Sequence, residues 1–209
     1  MLTLPLVTER LLIDRLGPHD APVVAGYRGD PSVARWQSWD APYGIDRALS
    51  LIAADAAEVA GAPGAGVNLA VRLHGALVGD VYLAVLAAVP QACEVGVTLA
   101  PAQQGRGLAT EAVAAVLDAV FAAGVVTRAA AYIDTRNGPS LALFDRLGFQ
   151  RDALLEGSLP HADGASLDEV RFTTRADGWR RRRGMAHSVP SPAGPDPFSR
   201  QAGVDEELH

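Results

Sequence analysis

The stretch of sequence that decides the fold joins an apolar strand to a long helix. It reads Glu94-Val95-Gly96-Val97-Thr98-Leu99-Ala100-Pro101-Ala102-Gln103-Gln104-Gly105-Arg106-Gly107-Leu108-Ala109-Thr110. The two glycines of the turn let the backbone approach a ligand or another backbone closely. The first turn of a helix presents N–H groups without partners, and the helix dipole favours an anion there. The stretch therefore predicts either a pyrophosphate-binding turn or a glycine-softened helix start that binds no ligand.

Two common phosphate-binding motifs do not fit this turn. The dinucleotide fingerprint G-x-G-x-x-G is absent from it. A P-loop requires a lysine after its last glycine, and Leu108 stands there instead.

Hydrophobic periodicity outward from the turn predicts an α/β fold, with an α+β mixed sheet and helices on its faces. Strands are predicted at residues 11–15, 67–73, 76–86, 94–99, 127–133, 149–156 and 167–174. The second and third of these are joined at His74-Gly75 and look like a hairpin. Helices are predicted at residues 20–27, 45–60, 109–121 and 137–147.

The chain divides into a body and a tail. Its 209 residues are 49% hydrophobic, enough for one domain with a core. Residues 1–183 are predicted to form that domain. Residues 184–209 are rich in proline and lack periodicity, so we expect a disordered tail.

Composition excludes several classes of function. No uninterrupted run of 18 apolar residues is present, which argues against a membrane span. The amino-terminal segment lacks the basic start and clean apolar core of a secretory signal, so a cytoplasmic location is the default expectation. The net charge of −6 gives no electrostatic footprint for nucleic acid. Cys93 is the single cysteine, and we expect neither a disulfide nor a metal site.

Several motifs resemble one known family. Gln104-x-x-Gly107-x-Ala109 is similar to the Q/R-x-x-G-x-G/A signature of the GNAT superfamily of acyl-coenzyme A-dependent N-acyltransferases. Further segments resemble its RimJ/RimL-type branch of ribosomal-protein N-terminal acetyltransferases, in the family's order over residues 6–179. They are Thr8-Glu9-Arg10-Leu11, Glu94-Val95-Gly96, Gly107-Leu108-Ala109-Thr110-Glu111-Ala112, Asn137-x-x-Ser140 before Leu147-Gly148-Phe149, and residues 168–179.

The resemblance implies a GNAT fold, with a mostly antiparallel central sheet, a splayed strand pair and helices on both faces. It also implies acetyl-coenzyme A as cosubstrate. Backbone N–H groups of the glycine turn would hold the pyrophosphate, and the preceding strand would bond the pantetheine arm. The implied cofactor-binding residues are Val97, Thr98, Leu99, Gln104, Gly105, Arg106, Gly107, Leu108, Ala109, Thr110, Asn137, Ser140 and Phe144. For Arg106, a phosphate contact and an orientation towards water remain open.

The resemblance also suggests catalytic groups. Many GNAT proteins have a tyrosine that protonates the leaving thiolate, and Phe144 stands at about that position here. Ser140 is then the candidate acid. Glu94 is the candidate base, because its strand faces the thioester; the alternative is a strand carboxylate paired with an arginine.

Aromatic residues in the first third of the chain suggest an acceptor site. Trp36 and Trp39, next to Asp40, could wall a cleft for a cationic amine, or they could be ordinary packing residues.

The sequence leaves two functions open: an N-acetyltransferase acting on a protein amino terminus or a small-molecule amine, or a coenzyme A-binding sensor that has lost the chemistry. By resemblance we also expect a homodimer.

Overall fold

The computed structural model describes residues 1–87, 91–160 and 166–184. Apart from Gly184, the predicted tail lies outside the described residues.

One mixed sheet organises the described residues. Its strands are β1 (Leu6–Val7), β2 (Leu11–Arg15), β3 (Gly66–Leu73), β4 (Ala76–Val85), β5 (Ala92–Leu99), β6 (Arg128–Asp134), β7 (Gln150–Pro160) and β8 (Ser166–Arg175). The helices are α1 (Ala21–Arg28), α2 (Pro31–Ala34), α3 (Ile45–Ala57), α4 (Leu108–Ala122), α5 (Gly138–Leu147) and α6 (Ala176–Arg182). The strand order is β1-β2-β3-β4-β5-β6-β8-β7, and every neighbouring pair is antiparallel except β5 and β6.

The parallel pair β5 and β6 separates along its length. Pairing runs from Ala92 opposite Arg128 to Glu94 opposite Ala130 and ends there. On its other side β5 stays paired with β4 as far as Leu99. The outer edge of β5 beyond Glu94 is therefore not paired with β6, and the sheet opens at that point.

Helices cover both faces of the sheet. On one face, α4 packs together with α5 and α6. The apolar stripe of α4 is fully buried there and consists of Val113, Val116, Leu117, Val120 and Phe121. A second, smaller core lies between α1, α3 and the opposite face. The predicted fold class is therefore confirmed.

The predicted long elements are present with shifted ends. The predicted helix at residues 45–60 ends at Ala57, because Glu58 is extended. Three elements were not predicted: β1, α2 and α6. The first two have two and four residues, too few to show a period.

Candidate active site

A cleft of about 690 Å³ opens where β5 leaves β6. Its walls come from β5, the glycine turn before α4, α5, and the segment at and after α2. The lining residues are Ser32, Val33, Arg35, Trp36, Gln37, Val97, Thr98, Leu99, Gln104, Gly105, Gly107, Leu108, Ala109, Thr110, Asn137, Pro139, Ser140, Ala142, Leu143 and Arg146. The structure thus brings together most of the residues predicted to contact a cofactor.

The glycine turn adopts a backbone that favours glycine. Gly105 has φ of +72° and Gly107 has φ of +76°, both in the left-handed region. Gly107 caps α4, so the free N–H groups of the first helical turn lie beside the cleft. A Cβ at Gly105 would meet no atom within 4 Å, and one at Gly107 would come 3.5 Å from Arg10 Nη2. The backbone conformation therefore favours glycine at both positions, and the glycines leave open space.

Gln104 fastens this turn to the end of β5. Its side-chain Nε2 donates a hydrogen bond to the carbonyl of Leu99 at 3.0 Å. Arg106 lies outside the cleft lining, and its guanidinium donates to the Gln103 side chain.

The helix α5 is capped at both ends. Asn137 Oδ1 accepts a hydrogen bond from the Ser140 N–H at 3.3 Å, and Pro139 lies in the first turn. Gly148 ends the helix in the left-handed conformation, with φ of +79°. The ring centroids of Phe149 and Phe144 then lie 5.1 Å apart.

Ser140 and Phe144 point to different environments. Ser140 lines the cleft, whereas Phe144 is 2% exposed and packs against Phe149 and Phe172 in the core. Phe144 is thus outside the lining, although the sequence suggests it as a cofactor contact. Of the side chains with which α5 lines the cleft, Ser140 carries the hydroxyl.

Glu94 is the last residue of β5 that pairs with β6. Its neighbours Cys93 and Val95 are buried in the main core, so Glu94 points to the opposite face of the sheet. Tyr82 lies on that face: burial raises the pKa of its phenol, and the charges of Glu94 and Asp55 raise it further. Glu94 does not itself line the described cleft.

The two tryptophans do not form one wall. Trp36 lines the cleft, with the Arg35 guanidinium 4.6 Å from its ring centroid. Trp39 lies away from the lining, with the Arg28 guanidinium 4.3 Å from its centroid. Its indole N–H donates to the Arg28 carbonyl at 3.1 Å. Asp40 is also outside the lining, so the structure supports a cleft-wall position for Trp36 alone.

A buried polar network, which the sequence analysis missed, holds Trp39. Arg28, only 4% exposed, pairs with Asp80 at 2.9 Å and donates to Asn68 Oδ1 at 2.8 Å. Asn68 in turn donates to Asp55 on α3, and Tyr27 donates to Asp80. The available signal was a polar residue inside each of two apolar strands, at 68 and at 80. The network links α1, α3 and the sheet beside the cleft.

Over residues 1–87, 91–160 and 166–184, no three His, Cys, Asp or Glu side chains are grouped to hold a metal ion. Within the same ranges no helix has the length and hydropathy to cross a membrane.

The glycine turn and α5 both lie within a segment that matches a known family. Residues 10–150 match the family model described as the acetyltransferase (GNAT) domain, and the chain belongs to this family. The predicted GNAT membership is therefore confirmed.

Relatives agree with this assignment. A Bacillus licheniformis protein named uncharacterized N-acetyltransferase p20 is 25% identical over 168 residues, covering 80% of this chain and 94% of p20. The Mycobacterium smegmatis RimJ structure with CoA-disulfide has a TM-score of 0.70 and 23% identity, covering 83% of this chain and 89% of RimJ. The Vibrio cholerae spermidine N-acetyltransferase structure with CoA and spermine has a TM-score of 0.70 and 18% identity, covering 82% of this chain and 99% of that one. Both structures share the fold of this chain.

Proposed function

We propose that this protein transfers an acetyl group from acetyl-coenzyme A to a primary amine. The observation that carries the proposal is the single cleft at which the glycine turn, the free edge of β5 and the first turn of α5 meet.

The cleft fits the cosubstrate in three respects. The start of α4 offers backbone N–H groups to a pyrophosphate, with two glycines leaving room for it. The unpaired edge of β5 offers backbone groups to the amides of a pantetheine arm. The charged side chains in the lining, Arg35 and Arg146, are both cationic, as an anionic cosubstrate requires.

The chemistry is a direct attack of the amine on the thioester. The nitrogen forms a bond to the acetyl carbon, and the carbon–sulfur bond breaks. Because Glu94 lies outside the cleft lining, it takes the proton that the amine loses through a water. Ser140 gives a proton to the departing thiolate and regains one from solvent. An α-amine with a pKa near 8 is roughly one-fifth neutral at pH 7.4, so a protein amino terminus needs less assistance than a lysine side chain.

A coenzyme A-binding module without turnover is the second candidate. The phenylalanine at position 144 favours it, because α5 then lines the cleft with the Ser140 hydroxyl, which is a weaker acid than a tyrosine phenol. A thiol near pKa 8.5 is only about one unit above neutral pH, however, so Ser140 has a modest task of about 1–2 kcal/mol.

Thiol release from acetyl-coenzyme A, measured with a panel of amines, separates the two candidates. The panel holds peptides with free amino termini, polyamines and amino acids; spermidine is included because one fold relative is named for it. We expect amine-dependent release with at least one class. Binding of acetyl-coenzyme A without release would favour the module, and absence of both would overturn the proposal.

A matched pair of glycine variants tests the cleft itself. Gly124 also has a left-handed backbone, with φ of +66° and no atom within 4 Å of a Cβ, but it lies beyond the far end of α4. Gly107→Val and Gly124→Val should therefore lose similar stability, about 1–2 kcal/mol. We expect only Gly107→Val to lose cosubstrate binding in calorimetry.

A further inference from the structure

The loop between β1 and β2 reaches the first turn of α4 through a cluster of hydrogen bonds. Glu111 Oε2 accepts from Arg10 Nε at 2.6 Å, and its distance to Arg10 Nη2 is also 2.6 Å. Glu111 Oε1 accepts from the Thr8 hydroxyl at 2.5 Å and from the Arg10 backbone N–H at 3.0 Å. The remaining arm of the guanidinium, Nη1, donates to the carbonyl of Arg106 at 3.0 Å.

The carboxylate of Glu111 lies close to the turn that would bind an anion. An unpaired negative charge there would repel a pyrophosphate and offset the helix dipole. Burial by itself raises the pKa of Glu111, but hydrogen bonds from Thr8 and Arg10 outweigh it and lower the pKa. The carboxylate is thus ionised, and the Arg10 guanidinium balances its charge.

The bond to the Arg106 carbonyl controls the backbone of the turn. Arg106 stands between Gly105 and Gly107, the two residues with left-handed φ. In a trans peptide the carbonyl and the following N–H point in opposite directions. Holding the Arg106 carbonyl towards Arg10 therefore directs the Gly107 N–H away from Arg10. Glycine peptides have the greatest freedom to rotate, so this contact removes freedom where the chain has most of it.

We propose that Arg10 is a positioning residue for the pyrophosphate-binding turn: it fixes the Arg106–Gly107 peptide and neutralises Glu111 without touching the substrate. This inference rests on the proposed use of acetyl-coenzyme A. A purely structural tether between β2 and α4 would need only the pair with Glu111. The third contact, to the carbonyl between the glycines, links Arg10 to the turn specifically.

The test compares two acyl donors in the full-length protein. S-acetylpantetheine carries the same thioester as acetyl-coenzyme A but lacks the pyrophosphate and the adenosine phosphate. For Arg10→Met we expect KM for acetyl-coenzyme A to rise about tenfold with kcat nearly kept. This is the size of effect expected when a charged contact that positions the binding residues is lost. We expect kcat/KM for S-acetylpantetheine to stay at the wild-type value.

Arg151→Met is the matched control. Arg151 pairs with Asp145 through an exposed arginine–carboxylate contact of 2.6 Å, between β7 and α5 and away from the glycine turn. It should leave KM for acetyl-coenzyme A unchanged. Melting temperatures of both variants report whether the fold is kept.

Two results would overturn the proposal. One is an unchanged KM for acetyl-coenzyme A in Arg10→Met, and the other is an equal fall of kcat/KM with both donors. Wild-type turnover in the same assay keeps these outcomes distinct from failure of the proposed function.

Arg10→Lys keeps the charge but not the planar guanidinium that spans Glu111 and Arg106. It should give an intermediate KM for acetyl-coenzyme A and full activity with S-acetylpantetheine. A lysine variant impaired equally with both donors would contradict the role.

Discussion

The hydroxyl of Ser140 is the proposed acid on α5, because it lines the cleft whereas Phe144 is packed into the core. An alcohol is a weak acid, and its value depends on position more than on its pKa. Asn137 fixes that position by accepting the Ser140 N–H at the start of the helix.

Ser140→Ala should lower kcat by roughly ten- to a hundredfold, the contribution of one general acid of modest strength. Affinity for acetyl-coenzyme A should be nearly kept, since the variant removes a single hydroxyl from the cleft wall. Steady-state kinetics with calorimetry as a control measures both. A full kcat would show that the thiolate leaves unaided or takes its proton from another group.

Glu94→Gln should lower the rate most at neutral pH and least at high pH, where the amine loses its proton without help. The geometric reason is that Glu94 lies at the last β5–β6 pair, where the sheet opens. One pH–rate profile for this variant is the measurement. A profile that coincides with that of the wild type would remove Glu94 from the mechanism.

Asp55 connects stability to pH. Burial raises its pKa to about 6, even though Asn68 donates hydrogen bonds to the carboxylate. Between the unfolded value of 3.8 and about 6 the native state binds more protons than the unfolded state, so stability falls as pH rises through that window. The loss amounts to about 2–3 kcal/mol and is complete above the upper value.

Asp55→Asn, which stays neutral, should remove this contribution. The melting temperature of the variant minus that of the wild type should therefore be more positive at pH 7.5 than at pH 4.5. Melting curves at the two pH values provide the test. An equal difference at both would show that Asp55 titrates alike in the folded and unfolded chains.

Single residues differed in how far the sequence could place them. The glycines of the turn follow from local chemistry, and the structure has them at the start of α4, as predicted. Trp39 does not, because its ring is covered by Arg28, eleven positions earlier, and Arg28 is held by Asp80. Such contacts depend on tertiary placement, which local patterns do not record.

Among the elements, α5 begins at a residue that has a structural role and a proposed binding role. Asn137 caps the helix and also lines the cleft. Aspartate is as good a cap as asparagine, but it has no N–H to donate and carries a charge. The two roles can therefore be separated by substitution.

Asn137→Asp should keep the melting temperature of the ligand-free protein and weaken acetyl-coenzyme A binding, by about tenfold for a lost donor and an added anion. Asn137→Ala should lose about 1 kcal/mol of stability as well. Melting curves with and without cosubstrate measure both effects. Unchanged affinity in both variants would limit Asn137 to capping.

The opening of the sheet between β5 and β6 is a feature that hydrophobic periodicity could not predict. Both β5 and β6 read as ordinary apolar strands, and only the resemblance suggested that a strand pair splays. Their register is set by α4, which connects them and packs beneath the sheet. Parallel register depends on such long connections, whereas hairpin register follows from the turn.

At the scale of the molecule, α6 closes the described fold. Trp179 is 1% exposed, packs against Phe121 and Phe149, and donates its indole N–H to Asp118 of α4 at 2.7 Å. Arg183 pairs with the same carboxylate at 2.7 Å. The domain therefore needs the chain as far as α6.

Removal of residues 184–209 should leave both the melting temperature and the response to acetyl-coenzyme A unchanged, because their proline-rich composition gives little apolar surface to bury. Trp179→Ala in the full chain is the contrasting variant, and it should cost about 3–5 kcal/mol as a buried aromatic deletion.

In the wild type and the shortened chain alike, acetyl-coenzyme A at a hundredfold its Kd should add about 2.7 kcal/mol to the free energy of unfolding. For a domain of this size that corresponds to a rise in Tm of about 5–10 °C. A shortened chain that melts lower, or responds less to acetyl-coenzyme A, would mean that the removed residues pack on the domain or on a second copy, and light scattering of both proteins would identify which.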